Sequence, residues 1–447
     1  MRYRNATMAL VFTASACVAA CGTPSTVPEI SGFGPMPPLP APAKSLFPTV
    51  HIAPVKSFGE DDRPKAAPGF TVDALARDLD HPRWIYVLPN ADVLVAEADA
   101  PAVHDQTGGP FKRVMAWIRK QVMKRAGAGV PSPDKIILLR EAKDGRSAPT
   151  KSVLIEGLHS PFGMSLIGSD LYIADTDALL RFPYTRGETT IKSPGVKVVD
   201  LPAGPIDHHW TKNIIASPDK THLFITVGSN SNAAENGIDV ESGRARILDF
   251  DISAQTMRPF ATGLRNANGL AWQPQSGELW TTVNERDDLG NDLVPDYMTA
   301  VHDGAFYGWP YSYYGSHLDM RVKPQRPVLV ATAIVPDYAL GNHTASLGLA
   351  FYTASLFPEH YRNGAFIGQH GSWNRNPRTG YKVVFIPFAN GKPSGPPEDF
   401  LGGFLDSQGN AKGRPVGVAV DKDGALLVAD DVANAVWRVT PTRTNSP

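Results

Sequence analysis

Six stretches of this chain repeat one plan: an apolar run, a turn built on Pro, Asn, Asp, Ser or Gly, and a second apolar run closing on small or polar residues. They read RWIYVLPNADVLVAEAD from Arg83, PFGMSLIGSDLYIADTD from Pro161 and NIIASPDKTHLFITVGSN from Asn213. The other three are NGLAWQPQSGELWTTVNE from Asn268, LGLAFYTASLFPEHYRNGAFIGQH from Leu347 and PVGVAVDKDGALLVADD from Pro415. The copies start about 50–80 residues apart. A strand–turn–strand unit at this spacing, with room for two more strands, predicts propeller blades. Six copies predict an all-β, six-bladed β-propeller. The spacing exceeds that of compact repeats, so several blades must carry long loops. NAVWRVTP, ending at Pro441, is expected to join the sheet begun by GFTVDALARDL from Gly69 and so close the ring. Gly and Pro, at 40 each, supply the turns of many short strands rather than long helices.

Two regions lie outside the repeat. The opening MRYRNATMALVFTASACVAAC has a basic start, an apolar run and small residues before a Cys, the pattern of a signal peptide. VAAC, Val18 to Cys21, resembles a bacterial lipobox, which implies diacylation of Cys21 and removal of residues 1–20. An ordinary signal cut near ACVAA is the alternative. Gly22 rather than Asp comes next, so the expected location is the periplasmic side of the envelope, lipid-anchored at the outer membrane. Cys17 and Cys21 are the only cysteines, so no disulfide braces the propeller. Residues 22–68 hold eleven prolines without periodicity. Residues 21–68 are therefore expected to form a disordered, extended tether that holds a propeller of residues 69–441 off the membrane. The second region is GPFKRVMAWIRKQVMKRAGAG. Its Val114, Ile118 and Val122 fall four apart among six Lys and Arg residues. That spacing predicts a short basic amphipathic helix over 111–126, inserted in a blade. It would either pack on the propeller or dock lipid headgroups or an acidic redox partner.

A propeller's chemistry sits at one mouth of its channel, where loops from every blade converge. A formal net charge of −1 leaves no basic excess for nucleic acid. GPIDHHWTKNIIASPD places Asp207, His208, His209, Trp210 and Lys212 before an apolar strand. Neighbours on a strand point opposite ways, so only one histidine is expected to face the channel, where it suits a general base. Ser229, Asn230, Ser231 and Asn232 in the next polar run could line the channel. GLRNANGLAW places Arg265 and Asn266 before another strand, GNHTASLGLAFY places His343, and GRPVGVAVD places Arg414. NERDDLGNDLVPDY crowds Glu285, Asp287, Asp288, Asp292 and Asp296 in one loop, a hard-oxygen set that suits calcium. FIGQHGSWNRNPRTGYK carries His370, Ser372, Trp373, Asn374, Arg375 and Arg378, far more chemistry than a hairpin turn needs. Arginines 265, 375 and 414 converging on one cavity call for a polyanion, and a planar tricarboxylate with calcium would answer them. No Gly-rich phosphate motif precedes a helix, which argues against a nicotinamide or flavin.

HHWTKNIIASPD, GLRNANGLAW, NERDDLGNDLVPDY, YGWPYSYYG, FIGQHGSWNRNPRTGYKVVFIPF and GRPVGVAVDKDGALLVADD together resemble the sorbosone dehydrogenase branch of the soluble quinoprotein sugar dehydrogenases, over about residues 69–440. The resemblance implies a six-bladed propeller with pyrroloquinoline quinone (PQQ) and calcium at the channel mouth. It implies that His209 is the catalytic base, with His208 where the glucose dehydrogenase relatives carry Asp. It puts their Arg–Asn pair, near the quinone's reactive carbonyl, on Arg265 and Asn266, with Arg265 in a catalytic role that stabilises the negative charge growing on the quinone oxygen. It puts a cofactor wall at His370, Trp373 and Arg375, with Arg375 on a PQQ carboxylate, and the final-blade arginine at Arg414. The calcium loop falls on Glu285, Arg286 and Asp287.

The expected activity is therefore oxidation of a sugar or sugar aldehyde, with electrons leaving to a cytochrome or quinone. A calcium-dependent lactonase propeller and a non-enzymatic envelope sugar-binding propeller are the alternatives. Channel carboxylates aimed at one central calcium would favour the lactonase.

Overall fold

The computed structural model describes residues 24–43, 49–101, 124–127, 129–141 and 149–442. Six four-stranded antiparallel units stand in a ring, each counted from its axial strand outward. Blade 1 is Pro82–Val87, Val93–Glu97, Lys135–Arg140 and Thr150–Glu156. Blade 2 is Met164–Ile167, Asp170–Ala174, Ala178–Pro183 and Val196–Asp200, and blade 3 is Ile214–Ala216, His222–Val227, Arg246–Asp251 and Thr256–Thr262. Blade 4 is Ala267–Trp272, Leu279–Val283, Pro295–Ala300 and Tyr338–Asn342, and blade 5 is Ser346–Phe351, Ala365–Gln369, Lys382–Ile386 and Glu398–Gly402. Blade 6 takes Pro415–Val420, Leu426–Asp430 and Ala435–Pro441 from the end of the chain and Phe70–Ala76 from near its start. Val72 there pairs Val439, so the ring closes by hydrogen bonds between distant segments, as the sequence predicts.

The ring is tight because the axial strands carry glycine. A Cβ on Gly269 of blade 4 would lie 2.6 Å from Leu347 O of blade 5. One on Gly348 of blade 5 would lie 2.3 Å from Val416 O of blade 6, and one on Gly417 of blade 6 would lie 2.9 Å from Arg83 O of blade 1. Neighbouring backbones thus approach to distances that no side chain permits. Apolar side chains fill the wedges between blades. Trp280, Met298, Leu349, Ile367 and Val384 join blades 4 and 5, and Phe366, Phe385, Leu426, Val428 and Trp437 join blades 5 and 6.

The proline-rich segment is not a disordered tether where it is described. Phe33 pairs Leu340 and adds a fifth strand to blade 4, while Lys65 pairs Gly402 and adds one to blade 5. Between them Ala53 is wholly buried, and Lys56 N donates to Ala411 O at 2.8 Å. Prolines keep the segment extended, and the two blade edges supply the backbone partners that an extended chain needs. The folded unit therefore begins well before residue 69. Cys21, the signal segment and most of the basic helix expected over 111–126 lie outside the described residues. Among the described residues no helix is long and apolar enough to cross a membrane.

Candidate functional site at the channel mouth

Axial strands run away from one end of the ring, and the second strand of each blade returns to it. That end therefore collects the residues just before each axial strand and those just after each second strand. His81, Lys212, Arg265, Asn266, His343 and Arg414 come from the first set. Asp99, Ser229, Glu285, Asp287, His370 and Asp431 come from the second.

His209 lies in a bend, not on a strand, so strand alternation is not what separates the two histidines. Their rings meet edge to face with centroids 4.5 Å apart, His208 exposed and His209 partly covered. His209 Nδ1 is 2.9 Å from Ser229 O and 3.0 Å from Ser229 Oγ. A carbonyl can only accept, and Ser229 Oγ gives its own proton to Ser231 O at 2.6 Å. Nδ1 therefore carries the ring proton and Nε2 is left with a lone pair. Below this pair Glu241 accepts from Asn230 N at 2.8 Å and from the Ser231 hydroxyl, which pins the loop. Arg244 clamps the other side, donating to Gly228 O at 2.9 Å, His209 O at 2.8 Å and Asp207 at 2.7 Å. Burial, the Arg265 charge and His208 hold the His209 pKa well below 6.5, so the ring stays neutral. Asn266 is its neighbour: a Cβ on Gly228 would lie 2.5 Å from both Asn266 Oδ1 and His209 Cβ. Asn266 Oδ1 is buried without a partner.

The three arginines do not converge as free cations. Arg265 is 1 % exposed. It donates to Asn232 O at 3.1 Å, Asn232 Oδ1 at 3.0 Å and Glu285 O at 2.7 Å, with Asp287 at 3.3 Å. Its N–H groups hold the mouth loops together and are not available to an anionic oxygen. Arg375 is a clearer correction. Its guanidinium donates to Asn291 O at 3.0 Å, Asp292 at 2.9 Å, Pro377 O at 3.1 Å, and Ser25 Oγ and Val27 O at 3.3 Å each. It clamps the N-terminal segment onto the mouth. Arg414 differs. It is 4 % exposed and lies 5.0 Å from the Tyr381 ring, and its Nε and Nη2 have no partner.

The Glu285–Asp287 loop does not fit calcium as read from the sequence. Arg286 is a cation, bonded to Glu285 at 3.0 Å and Asp319 at 3.1 Å. Asp287 bonds Asn374 Nδ2 at 2.7 Å and faces His343 at 3.5 Å. Burial opposes its ionisation, but His343 and Arg265 win and hold its carboxyl below the usual range. Two of the three backbone carbonyls also accept hydrogen bonds, Glu285 O from Arg265 at 2.7 Å and Asp287 O from Arg321 at 3.0 Å. Among the described residues no three His, Cys, Asp or Glu side chains could hold a metal, so the carboxylate set that would favour a lactonase is not found there.

His370 Nε2 donates to the Asp431 carboxylate at 2.8 Å, and burial pushes the His370 pKa down to about 4 despite that carboxylate. Asp431 also binds Arg83 and faces His81 at 3.8 Å. Trp373 is 39 % exposed at the rim. Ser229, Glu241, Arg244, Arg83, Asn374 and Asp431 are the site-building residues whose roles the sequence alone does not disclose. One signal was available for Asp431: the second apolar run of each copy ends on polar residues, as in LLVADD, and those ends return to the mouth.

A family description, TrAA12-like, matches residues 136–304 and 330–442. The chain is 27% identical over 291 residues to a pyrroloquinoline quinone-dependent pyranose dehydrogenase of Coprinopsis cinerea, a match covering 52% of this chain and 39% of that protein. It thus spans well under half of that relative's length. Its fold is similar to the holo PQQ domain of the Coprinopsis cinerea pyranose dehydrogenase, with a TM-score of 0.66, 20% identity, and coverage of 87% of this chain and 100% of that one. It is also similar to a calcium structure of a Trichoderma reesei carbohydrate-active enzyme of family AA12, with a TM-score of 0.67, 18% identity, and coverage of 88% and 99%.

Proposed function

The chain belongs to the TrAA12-like family, and from that premise we propose that it is a PQQ-dependent dehydrogenase oxidising a sugar or a sugar aldehyde of the sorbosone type. The observation that supports this most is Arg414. Burying a guanidinium with two unpartnered nitrogens is costly unless an anion arrives. A carboxylate of a planar quinone is such an anion, and Tyr381 steadies the cation while it waits. Asn266 Oδ1, also unpartnered, and the exposed indole of Trp373 offer a polar contact and an aromatic wall in the same mouth.

Bound PQQ supplies the two-electron acceptor that oxidation of a C–H bond requires. His209 Nε2 takes the proton from the substrate hydroxyl, or from the hydrate of an aldehyde. The Nδ1–H fixed on Ser229 leaves Nε2 as the only basic nitrogen. Glu241 and Arg244 hold the two loops that set this geometry. A cytochrome or quinone then receives the electrons. Cys21 is assigned as the lipid anchor. Its thiolate displaces the headgroup phosphate of a phospholipid to form a thioether, and hydrolysis of the preceding peptide bond frees the new N-terminus.

Arg414→Ala tests the reading. Loss of a charge-assisted contact of about 1.5–3 kcal/mol should weaken PQQ binding about 10- to 150-fold, read by titrating cofactor-free protein with and without calcium. Dye reduction at saturating PQQ should change far less. Equal affinity in both proteins would remove the proposed cofactor cradle.

A further inference from the structure

We propose that the mouth of the propeller faces the lipid bilayer, held there by a leash of four residues. The inference rests on the lipid-anchor reading of Cys21 and is independent of the dehydrogenase reading.

Ser25 is locked to the rim. Its N donates to Asn376 O at 2.7 Å, and its hydroxyl donates to the Asp292 carboxylate at 2.7 Å. Arg375 Nη2 donates to the same hydroxyl at 3.3 Å. One residue before Arg375, Asn374 reaches Asp287, which pairs with Arg265. From Cys21 to Ser25 there are four residue steps, which span about 14 Å at most. A diacylated Cys21 sits at the headgroup level, so the rim cannot stand further off than that.

The length of this leash decides the orientation. Left free, the whole proline-rich segment would reach at least as far as a flexible coil of its length, about 35–40 Å, and would let either end of the ring face the lipid. The other end of the ring, at the Lys220 turn, lies a full strand away from the mouth. The strand His222–Val227 alone spans about 20 Å. Fixing the chain at Ser25 therefore selects one end.

Two features of the rim suit the lipid. Lys124 and Arg125 are exposed on the turn whose Arg125 O accepts from Val55 N and whose Gly127 lies against Val432 at the rim, and basic side chains favour anionic headgroups. Trp373 presents an indole, an apolar body with a polar edge, which belongs at such an interface. An electron acceptor dissolved in the bilayer would meet the mouth directly, while sugars enter through the gap between rim and headgroups.

The mature chain offers a clean test, because Cys17 is removed and Cys21 is blocked by lipid. Asn236→Cys at the rim and Lys220→Cys at the opposite end each give one thiol for a donor fluorophore. The full chain is reconstituted in vesicles of phosphatidylethanolamine and phosphatidylglycerol carrying a headgroup acceptor dye. Diacylation of Cys21 is read separately by mass spectrometry. Donor quenching at Asn236 should exceed that at Lys220 by at least about threefold. Insertion of 20 Gly and Ser residues after Gly22, with an r.m.s. reach of about 25 Å, should abolish the difference. Equal or reversed quenching with Cys21 diacylated overturns the orientation. An unmodified Cys21 overturns the anchor beneath it. A difference that survives the insertion overturns the leash and assigns the orientation to the rim itself. None of these readings depends on PQQ or on turnover, so failure of the dehydrogenase reading would register elsewhere.

Discussion

His209→Ala should lower sugar-dependent dye reduction by at least about a hundredfold, the low end of what a positioned general base contributes. PQQ affinity should hardly move, because the ring contributes no charge to the cofactor. His208→Ala should have a small effect, since that ring is exposed and lies beside the base rather than in its place. The pH profile gives a second readout. A base works above the pKa of its conjugate acid. Burial first, then Arg265 and His208, hold that pKa well below 6.5. The acid limb of kcat/KM should therefore lie below pH 6.5, and His208→Ala should move it upward by removing one of the depressing charges. A larger loss from His208→Ala than from His209→Ala would show that the wrong histidine has been assigned.

Arg375→Ala should damage the fold rather than cofactor binding. The guanidinium is buried against Asp292 and four neutral acceptors, so its removal strands a carboxylate and frees the chain at Ser25 and Val27. Breaking one side of a buried pair costs about 3–5 kcal/mol. The expected signature is a lower unfolding midpoint and faster proteolysis among residues 24–43, with PQQ affinity of the folded fraction retained. Arg414→Ala should show the reverse, weak cofactor binding with a native midpoint, because that side chain leaves no protein carboxylate behind. If Arg375→Ala keeps the N-terminal segment protected and loses PQQ instead, the role expected from the sequence is restored.

The contrast between these two arginines shows where the sequence stops informing. Both stand beside strands at the mouth of neighbouring blades, and both look like anion partners. Blade number and ring closure through Phe70–Ala76 are legible in the sequence, because apolar alternation and turn chemistry act within a few residues. The partner of a guanidinium depends on which distant acceptors reach it. For Arg375 these are Ser25 and Val27, some 350 residues away. For Arg265 they are Asn232 and Glu285 on two other loops. For the acidic loop the partners are donors, its own Arg286 and the more distant Arg321 and His343, which turn an apparent calcium site into a set of internal ion pairs and hydrogen bonds. The proline-rich segment carries the same lesson. Its composition establishes that it is extended. Only the exposed edges of blades 4 and 5 decide that it is bound, since an extended chain has its backbone donors and acceptors free until a sheet edge accepts them.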